Sequence, residues 1–407
     1  MSNKDKSVKK SPNLRFPEYQ NSWETLKLRD ISEKVNEKNT NNDLDLVFSN
    51  SAVQGIVLQN DYFEKSIANR NNLQGYYIVK PQDFVYNPRI SANAEVGAMN
   101  INNTFKTGLV SPLYTVFRIK SAKITPQFLE IYFKSKHWHS HMREIANYGA
   151  RDDRMNIKND DFYNMDLQVP QNDEQIKIIS FLSKIIFRIE TQKKTIEDIS
   201  KKKKYFRQKL FSGEMRFENF SDWKRMKLGD LTRVVSKRNK DGQQFPIYSI
   251  NNKIGFVPQS HQFDGVNSQE RGYDISLYKI ISRNTFAYNP ARINVGSIGY
   301  SGNLEKIIIS SLYVCFKTTD LVNDEFLFHY LKTDLFNREV LKNVEGGVRD
   351  YLFYENFSRI KINLPSLEEQ KRIADFLSIL DSKLDLETQI LAKLNQQKKY
   401  FLQNLFV

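Results

Sequence analysis

The phrase FAYNPARI, Phe286 to Ile293, has a near copy in FVYNPRI, Phe84 to Ile90. A repeat over such a distance constrains the fold more than any local pattern, because each copy must build the same unit. Further pairs follow in the same order. WETLKLRDI from Trp23 answers WKRMKLGDL from Trp223, SPLYTVF from Ser111 answers SSLYVCF from Ser310, and FLEIYFKS from Phe128 answers FLFHYLKT from Phe326. Gly149-Ala150-Arg151-Asp152 returns as Gly347-Val348-Arg349-Asp350. The offset drifts through these segments, as loops of unequal length require. From Pro170 and Pro365 onward it is fixed: 365 − 170 and 401 − 206 both give 195. A stretch without insertions points to one uninterrupted element in each copy, a helix.

Both helices carry a coiled-coil seam. The segment Glu174 to Phe211 contains no Pro or Gly, and its apolar residues fall at Ile178, Leu182, Ile185, Ile189, Ile196, Ile199, Phe206 and Leu210. The second copy repeats them as Ile373, Leu377, Leu380, Leu384, Leu391, Leu394, Phe401 and Leu405. The spacing alternates four and three, the heptad pattern. Gln192, Lys203, Glu387 and Lys398 fill the gaps. Each helix should reach about 57 Å at 1.5 Å per residue. Two equal apolar stripes on one chain bury each other most simply as a pair. Antiparallel pairing is expected, since a parallel pair would force the chain to travel back the whole helix length. The units would then be related by a pseudo-two-fold axis. Ser212-Gly213 should end the first helix, and the second should run to the C-terminus.

Each globular unit reads as α+β. Leu109 to Lys120 and Ile307 to Lys317 read as strands, and Pro126 to Ala146 and Asp324 to Lys342 as helices. The expected boundaries are a basic tail over 1–13, a first unit over 14–172, a spacer helix over 173–213, a second unit over 214–367 and a terminal helix over 368–407.

Composition narrows the partner. The 407 residues hold 61 Lys and Arg against 47 Asp and Glu, a net charge of +14, which favours a polyanion. Hydrophobic content of 40% suffices for real cores. Cys315 is alone, so no internal disulfide or Cys-rich metal site is expected, which suits the cytoplasm. The opening MSNKDKSVKKSPN lacks the apolar core of a secretory signal, and no stretch approaches the roughly 18 apolar residues of a membrane span.

The repeated phrase offers the candidate contacts. Asn-Pro stops a strand and makes a turn, and Arg89 or Arg292 follows. Arginine on a rigid turn suits a guanine edge or a phosphate; alternatively, Tyr-Asn-Pro is a structural corner with Arg packed beside it. Arg151 and Arg349 project from the second repeated loop. Arg154 adds charge in the first copy, where Leu352 is read as its counterpart. Lys201 to Lys204 could meet phosphates, although a lysine run on a helix is usually a solvated face.

Catalytic chemistry is missing from the pattern. His137 and His141 have helical metal-ligand spacing but no third ligand, and Leu335 and Glu339 replace them in the second copy. GSIGYSG has no phosphate-loop Lys following it. Tyr-Asn-Pro lacks the second Pro and aromatic of an adenine methyltransferase loop. Glu369-Gln370-Lys371 has no upstream Asp to complete a nuclease site. Neither a metal nor a cofactor is expected in this chain, which points to a binding subunit.

LPSLEEQKRIADFLSILDSKL from Leu364, its counterpart VPQNDEQIKIISFLSKI from Val169, and the paired Trp…Lys-Leu-Arg/Gly-Asp starts resemble the specificity subunit of type I restriction-modification systems over nearly the whole chain. The resemblance implies that the two units are target recognition domains, each reading one half of a bipartite DNA site, and that the helices set the gap and dock partners. It further implies two modification subunits that use S-adenosylmethionine to methylate adenine, and two restriction subunits that use ATP and Mg. Arg89, Arg151, Arg154, Arg292 and Arg349 would lie near DNA. The other readings are a stand-alone DNA-binding regulator, a scaffold, or an enzyme with an unrecognised site.

Overall fold

The computed structural model describes residues 11–62, 70–148, 153–218, 220–261, 267–344 and 351–407. They fall into two compact units: Met1–Lys193 with Ile390–Val407, and Lys194–Gln389. Each mixes helices with short strands.

In unit 1 an antiparallel sheet takes the order Ser32–Lys34, Thr115–Ile119, Phe84–Asn87, Ala98–Ile101. Strand periodicity of two gives this sheet a core on each face. Phe84, Tyr86 and Phe117 point into the larger one, with Trp23, Phe128 and Phe162. Val85 and Val116 point into the smaller one, with Phe48, Val79 and Val110. Phe84 and Phe117 are paired across the strands with their rings stacked at 5.1 Å. The hairpin Phe48–Ser51 with Gly55–Leu58 and the pair Tyr77–Val79 with Gly108–Val110 bound the smaller core, and a parallel bridge from Val47 to Leu109 joins them. A separate ribbon pairs Glu24–Lys27 with Asp166–Val169.

Unit 2 repeats the plan. Its sheet runs Thr232–Val234, Val314–Thr318, Phe286–Tyr288, Ile298–Tyr300, and Phe286 stacks on Phe316 at 5.0 Å. Ala287 and Cys315 face the smaller core, where burial pushes the thiol up to about 11. The second sheet is continuous here, in the order Gly255–Pro258, Ile247–Asn251, Ile307–Ile309, Lys279–Ile281, with one parallel pairing. Lys224–Lys227 pairs with Lys361–Leu364 in a ribbon.

Four expectations about strands and helices within the globular units need correcting. Leu109 to Lys120 is two strands in different sheets, broken at Ser111, whose carbonyl accepts from Tyr114 N at 3.0 Å. Ser310 and Tyr313 break Ile307 to Lys317 the same way at 3.1 Å. Pro126 to Ala146 is two helices, Pro126–Tyr132 and His139–Ile145, because Trp138 Nε1 takes the carbonyls of Phe133 and Ser135, both at 3.1 Å. Asp324 to Lys342 also divides, into Asp324–Tyr330 and Asp334–Asn343, with Thr333 Oγ1 capping the second at Phe336 N.

The spacer helix covers Asn172–Ser212, 41 residues, and ends where Gly213 adopts φ 76°, a conformation glycine takes without strain. The terminal helix, Leu367–Asn404, stops short of the C-terminus. Leu405 and Phe406 instead enter the unit 1 core, where Phe406 lies 5.5 Å from Phe128. In unit 1 Phe181 meets Phe401 at 4.8 Å, while Glu190, further along the first helix, acts on Lys398, earlier along the second. The helices there are antiparallel. In unit 2 Phe206 meets Phe376 at 5.3 Å and the seam residue Lys203 pairs with Asp381, again antiparallel. Among the described residues no helix is long and apolar enough to cross a membrane.

Candidate nucleic-acid interface

In each unit the Asn-Pro turn is held from within. Strand Phe84–Asn87 ends as Asn87 Oδ1 accepts from Arg89 N at 3.1 Å, closing a turn of the kind asparagine favours. Asn87 Nδ2 donates to Asn50 O of the hairpin and to Tyr114 Oη, both at 3.3 Å. Tyr86 is buried, with its hydroxyl on Val96 O at 2.8 Å. The tyrosine is therefore a structural corner, while Arg89 projects outward and is exposed.

The structure brings Arg89 and Arg154 together. Their backbones form a bridge, flanked by Ile90 N to Asp153 O at 2.8 Å and Met155 N to Pro88 O at 3.0 Å. The Arg89 side chain reaches Asp153 at 3.4 Å across open surface, a pairing a phosphate can displace. Arg154 is half-buried, and its Nε has no hydrogen-bond partner among the described residues. Burial raises the Tyr114 hydroxyl, and the positive fields of Arg154 and Arg89 oppose that shift. Three turns thus converge on one surface: the hairpin tip, the Asn-Pro turn and the Ser111–Tyr114 turn.

Unit 2 rebuilds the surface with other residues. Asn289 Oδ1 accepts from Ala291 N at 3.0 Å, and Asn289 N donates to Ser297 O at 3.0 Å. A short helical turn, Ile293–Val295, follows Arg292, which is exposed and has no ion pair among the described residues. Ile250 N of the hairpin donates to Tyr313 Oη at 3.4 Å; burial raises that tyrosine's pKa, opposed by this hydrogen bond and by the positive field of Arg292. Leu352 N donates to Pro290 O at 3.1 Å, matching Met155 on Pro88. Leu352 is therefore the buried counterpart of Met155, not of Arg154. The residue standing where Arg154 does is Tyr351, stacked on Phe353 at 5.6 Å.

Arg151 and Arg349, with their Gly-x-Arg-Asp loops, lie outside the described residues. The lysine run divides: Lys203 enters the helix seam against Asp381, and Lys201 pairs with Glu197 at 2.5 Å. The histidines do not converge. His137 contacts Gln403 O and His141 contacts Asp161 O. No metal-binding group is found among the described residues. In GSIGYSG, Gly299 lies under the hairpin, where an added Cβ would come within 2.9 Å of Ile250.

The repeated Glu-Gln at each helix start has a structural task. The Glu174 carboxylate is buried and receives two hydrogen bonds from Arg15, at 2.8 and 2.7 Å. Gln175 accepts from Thr125 N at 2.9 Å and donates to Lys123 O and Pro170 O at 2.7 and 2.9 Å. Glu369 takes Arg216 at 3.1 and 2.9 Å and Trp223 Nε1 at 3.0 Å, and Gln370 accepts from Asn323 N at 2.8 Å. Arg15 and Arg216 escaped the sequence reading. Their signal was the Arg-Phe pair ahead of each Trp, at Arg15-Phe16 and Arg216-Phe217.

A second basic feature belongs to unit 2 alone. A cleft of about 420 Å³ is lined by Arg225, Arg338, Lys342 and Lys361, with Glu339. Among the described residues, only Lys342 of these cations is neutralised, by Glu339 at 2.7 Å. The corresponding residues of unit 1 are Thr25, Ser140, Glu144 and Asp166.

Comparison with known proteins agrees with this architecture. Residues 220–396 match the family model of the type I restriction modification DNA specificity domain. The HindI specificity subunit of Haemophilus influenzae is 27% identical over 194 residues, 46% of this chain and 41% of that protein. The MjaVIII specificity subunit of Methanocaldococcus jannaschii is 24% identical over 262 residues, 58% of this chain and 60% of that protein. The matched stretches thus span about half the length of these relatives. The crystal structure of a type I S subunit from M. genitalium shares the fold, with a TM-score of 0.55 at 15% identity, over 98% of this chain and 99% of that one. With the matched domain in the second copy, its structural repeat in the first and the paired helices of both, the chain is similar to type I restriction-modification specificity subunits.

Proposed function

We propose that this chain is the DNA-recognition subunit of a type I restriction-modification complex and performs no catalysis itself. The observation that carries the proposal is the turn cluster built twice, with the same scaffold and different outward residues. Two such surfaces on one chain suit a site of two different halves. Arg89 and Arg154 serve one half; Arg292 serves the other. Arg151 and Arg349 are proposed contacts on the same grounds of sequence. Phosphate contacts supply affinity, and side chains at base edges supply the choice of sequence. The paired helices set the gap and dock two modification subunits. S-adenosylmethionine for adenine methylation belongs to those subunits, and ATP and Mg to two restriction subunits.

The test is single-molecule mapping of methylated adenines in cells that carry the modification subunit, with and without this chain. A bipartite motif that appears only with the chain is expected. An unchanged map, with the modification subunit expressed and soluble, would refute the assignment.

A further inference from the structure

The turn Ser111–Tyr114 and its counterpart Ser310–Tyr313 each place a leucine at the tip. Leu113 is 55% exposed and Leu312 is 79% exposed. Turn tips favour small polar residues, whose backbone freedom or side-chain hydrogen bonds serve the turn. Neither leucine serves the turn in that way: the bend is closed by the serine, whose Oγ accepts from Leu113 N at 3.3 Å and from Leu312 N at 3.4 Å.

A single exposed apolar residue is ordinary. Its recurrence at one position of both globular units is not, because the other exposed apolar residues described there do not recur; Tyr205 and Tyr400 recur on the long helices, outside those units. Phe105 answers to Leu304, which is half-buried against the smaller core, Val234 to Lys34 and Leu341 to Arg143. The hairpin tip beside each leucine also exposes one aliphatic residue, but at different places of the same three-residue loop: Val53 at 74% and Ile254 at 73%. The pattern is a fixed leucine beside a variable neighbour.

Position says what these tips meet. Tyr114 Oη receives the Asn87 hydrogen bond of the Arg89 turn, and Tyr313 lies in the field of Arg292. Lys279 Nζ donates to Tyr313 O at 2.6 Å, adding a cation at the second tip. An apolar tip ringed by cations fits the DNA major groove, where phosphates flank the only aliphatic group a base pair presents, the C5-methyl of thymine. Protein–protein interfaces are depleted of lysine, which argues against a protein partner at the second tip, where Lys279 lies.

We propose that Leu113 and Leu312 are specificity-determining contacts to thymine methyl groups, one in each half-site, with Val53 and Ile254 making the neighbouring contact. This rests on the DNA-recognition reading above.

The experiment uses the full chain with its modification subunits on duplexes of the mapped site, with each thymine in turn replaced by uracil, which lacks only the methyl. The wild type is expected to bind about fourfold more weakly per methyl contacted. Leu312→Ala should erase that difference in the second unit's half-site only, and Leu113→Ala in the other only. Wild-type binding indifferent to every uracil, or a uracil effect that persists in both variants, would overturn the proposal. So would variants that lose subunit assembly while binding the site normally, since the tips would then meet protein. Failure of the wild type to prefer its mapped site would instead sink the recognition reading itself. Leu113→Val and Leu312→Val, which keep an aliphatic tip, guard against a folding defect and should retain most of the uracil effect.

Discussion

Arg15 and Glu174 meet in a two-pronged ion pair, with the arginine's side chain 15% exposed and the carboxylate's 2%. Such a pair is weak as a net stabiliser but costly to break, since a lone buried charge remains. Arg15→Met should lower the stability of unit 1 by about 3 kcal/mol. Adding Glu174→Met should recover most of the loss, because two apolar residues leave no charge unpaired. Urea unfolding of the three proteins checks this; a double variant no more stable than the single one would contradict it.

His329 should make unit 2 sensitive to acid. Burial pushes its imidazole down to about 4; Lys203, Lys332 and Arg207 push the same way, and Asp381 opposes them. The unfolded chain, with an ordinary value near 6.5, therefore binds more protons than the folded one between roughly pH 4 and 6.5. Stability is lost as pH falls through that window, by up to about 1.4 kcal/mol per unit. His329→Ile, which installs the residue of its counterpart Ile131, should flatten the slope. Urea midpoints at several pH values across the window would show it, and an unaltered slope would count against His329.

Arg89→Ala and Arg292→Ala should each relax one half of the recognised site and leave the other sharp. The expected loss is about 1–3 kcal/mol at the affected half. Methylation mapping with each variant decides the matter. If both halves weaken together, the arginine is a general phosphate contact.

The basic cleft of unit 2 should show in the salt dependence of binding. Three cations, Arg225, Arg338 and Lys361, lie there without ion-pair partners among the described residues. If they meet phosphates, replacing all three by Gln should flatten the plot of log affinity against log salt by up to about 2.7, at 0.9 per contact. The methylated motif should not change. An unaltered slope would place the cleft away from the nucleic acid.

Much of this structure was legible in the chain itself, for reasons that differ by element. The spacer helix announced its extent because an offset without insertions and a heptad seam run through it together. The Asn-Pro turn was legible because strand, breaker and arginine are contiguous. The sheets were not: strands of two to five residues carry too few alternations to reveal their neighbours. Ser111 and Ser310 hide a change of sheet inside what reads as one apolar run. Leu352 was matched to the wrong partner because loop lengths differ on either side of it. Arg15 and Arg216 were missed because their carboxylate partners are distant in sequence and only packing brings them together.

The Asn-Pro turn divides its tasks among its residues. Its asparagine closes its own backbone, its tyrosine belongs to the core, and the arginine beyond them contributes nothing to either task. Substitutions at such exposed positions usually shift stability by less than about 0.5 kcal/mol. Residues 89 and 292 can therefore drift one at a time, each step giving a protein that still folds. If the proposed function holds, a lineage bearing this scaffold can change the word it recognises without passing through a broken intermediate, and can change one half while keeping the other.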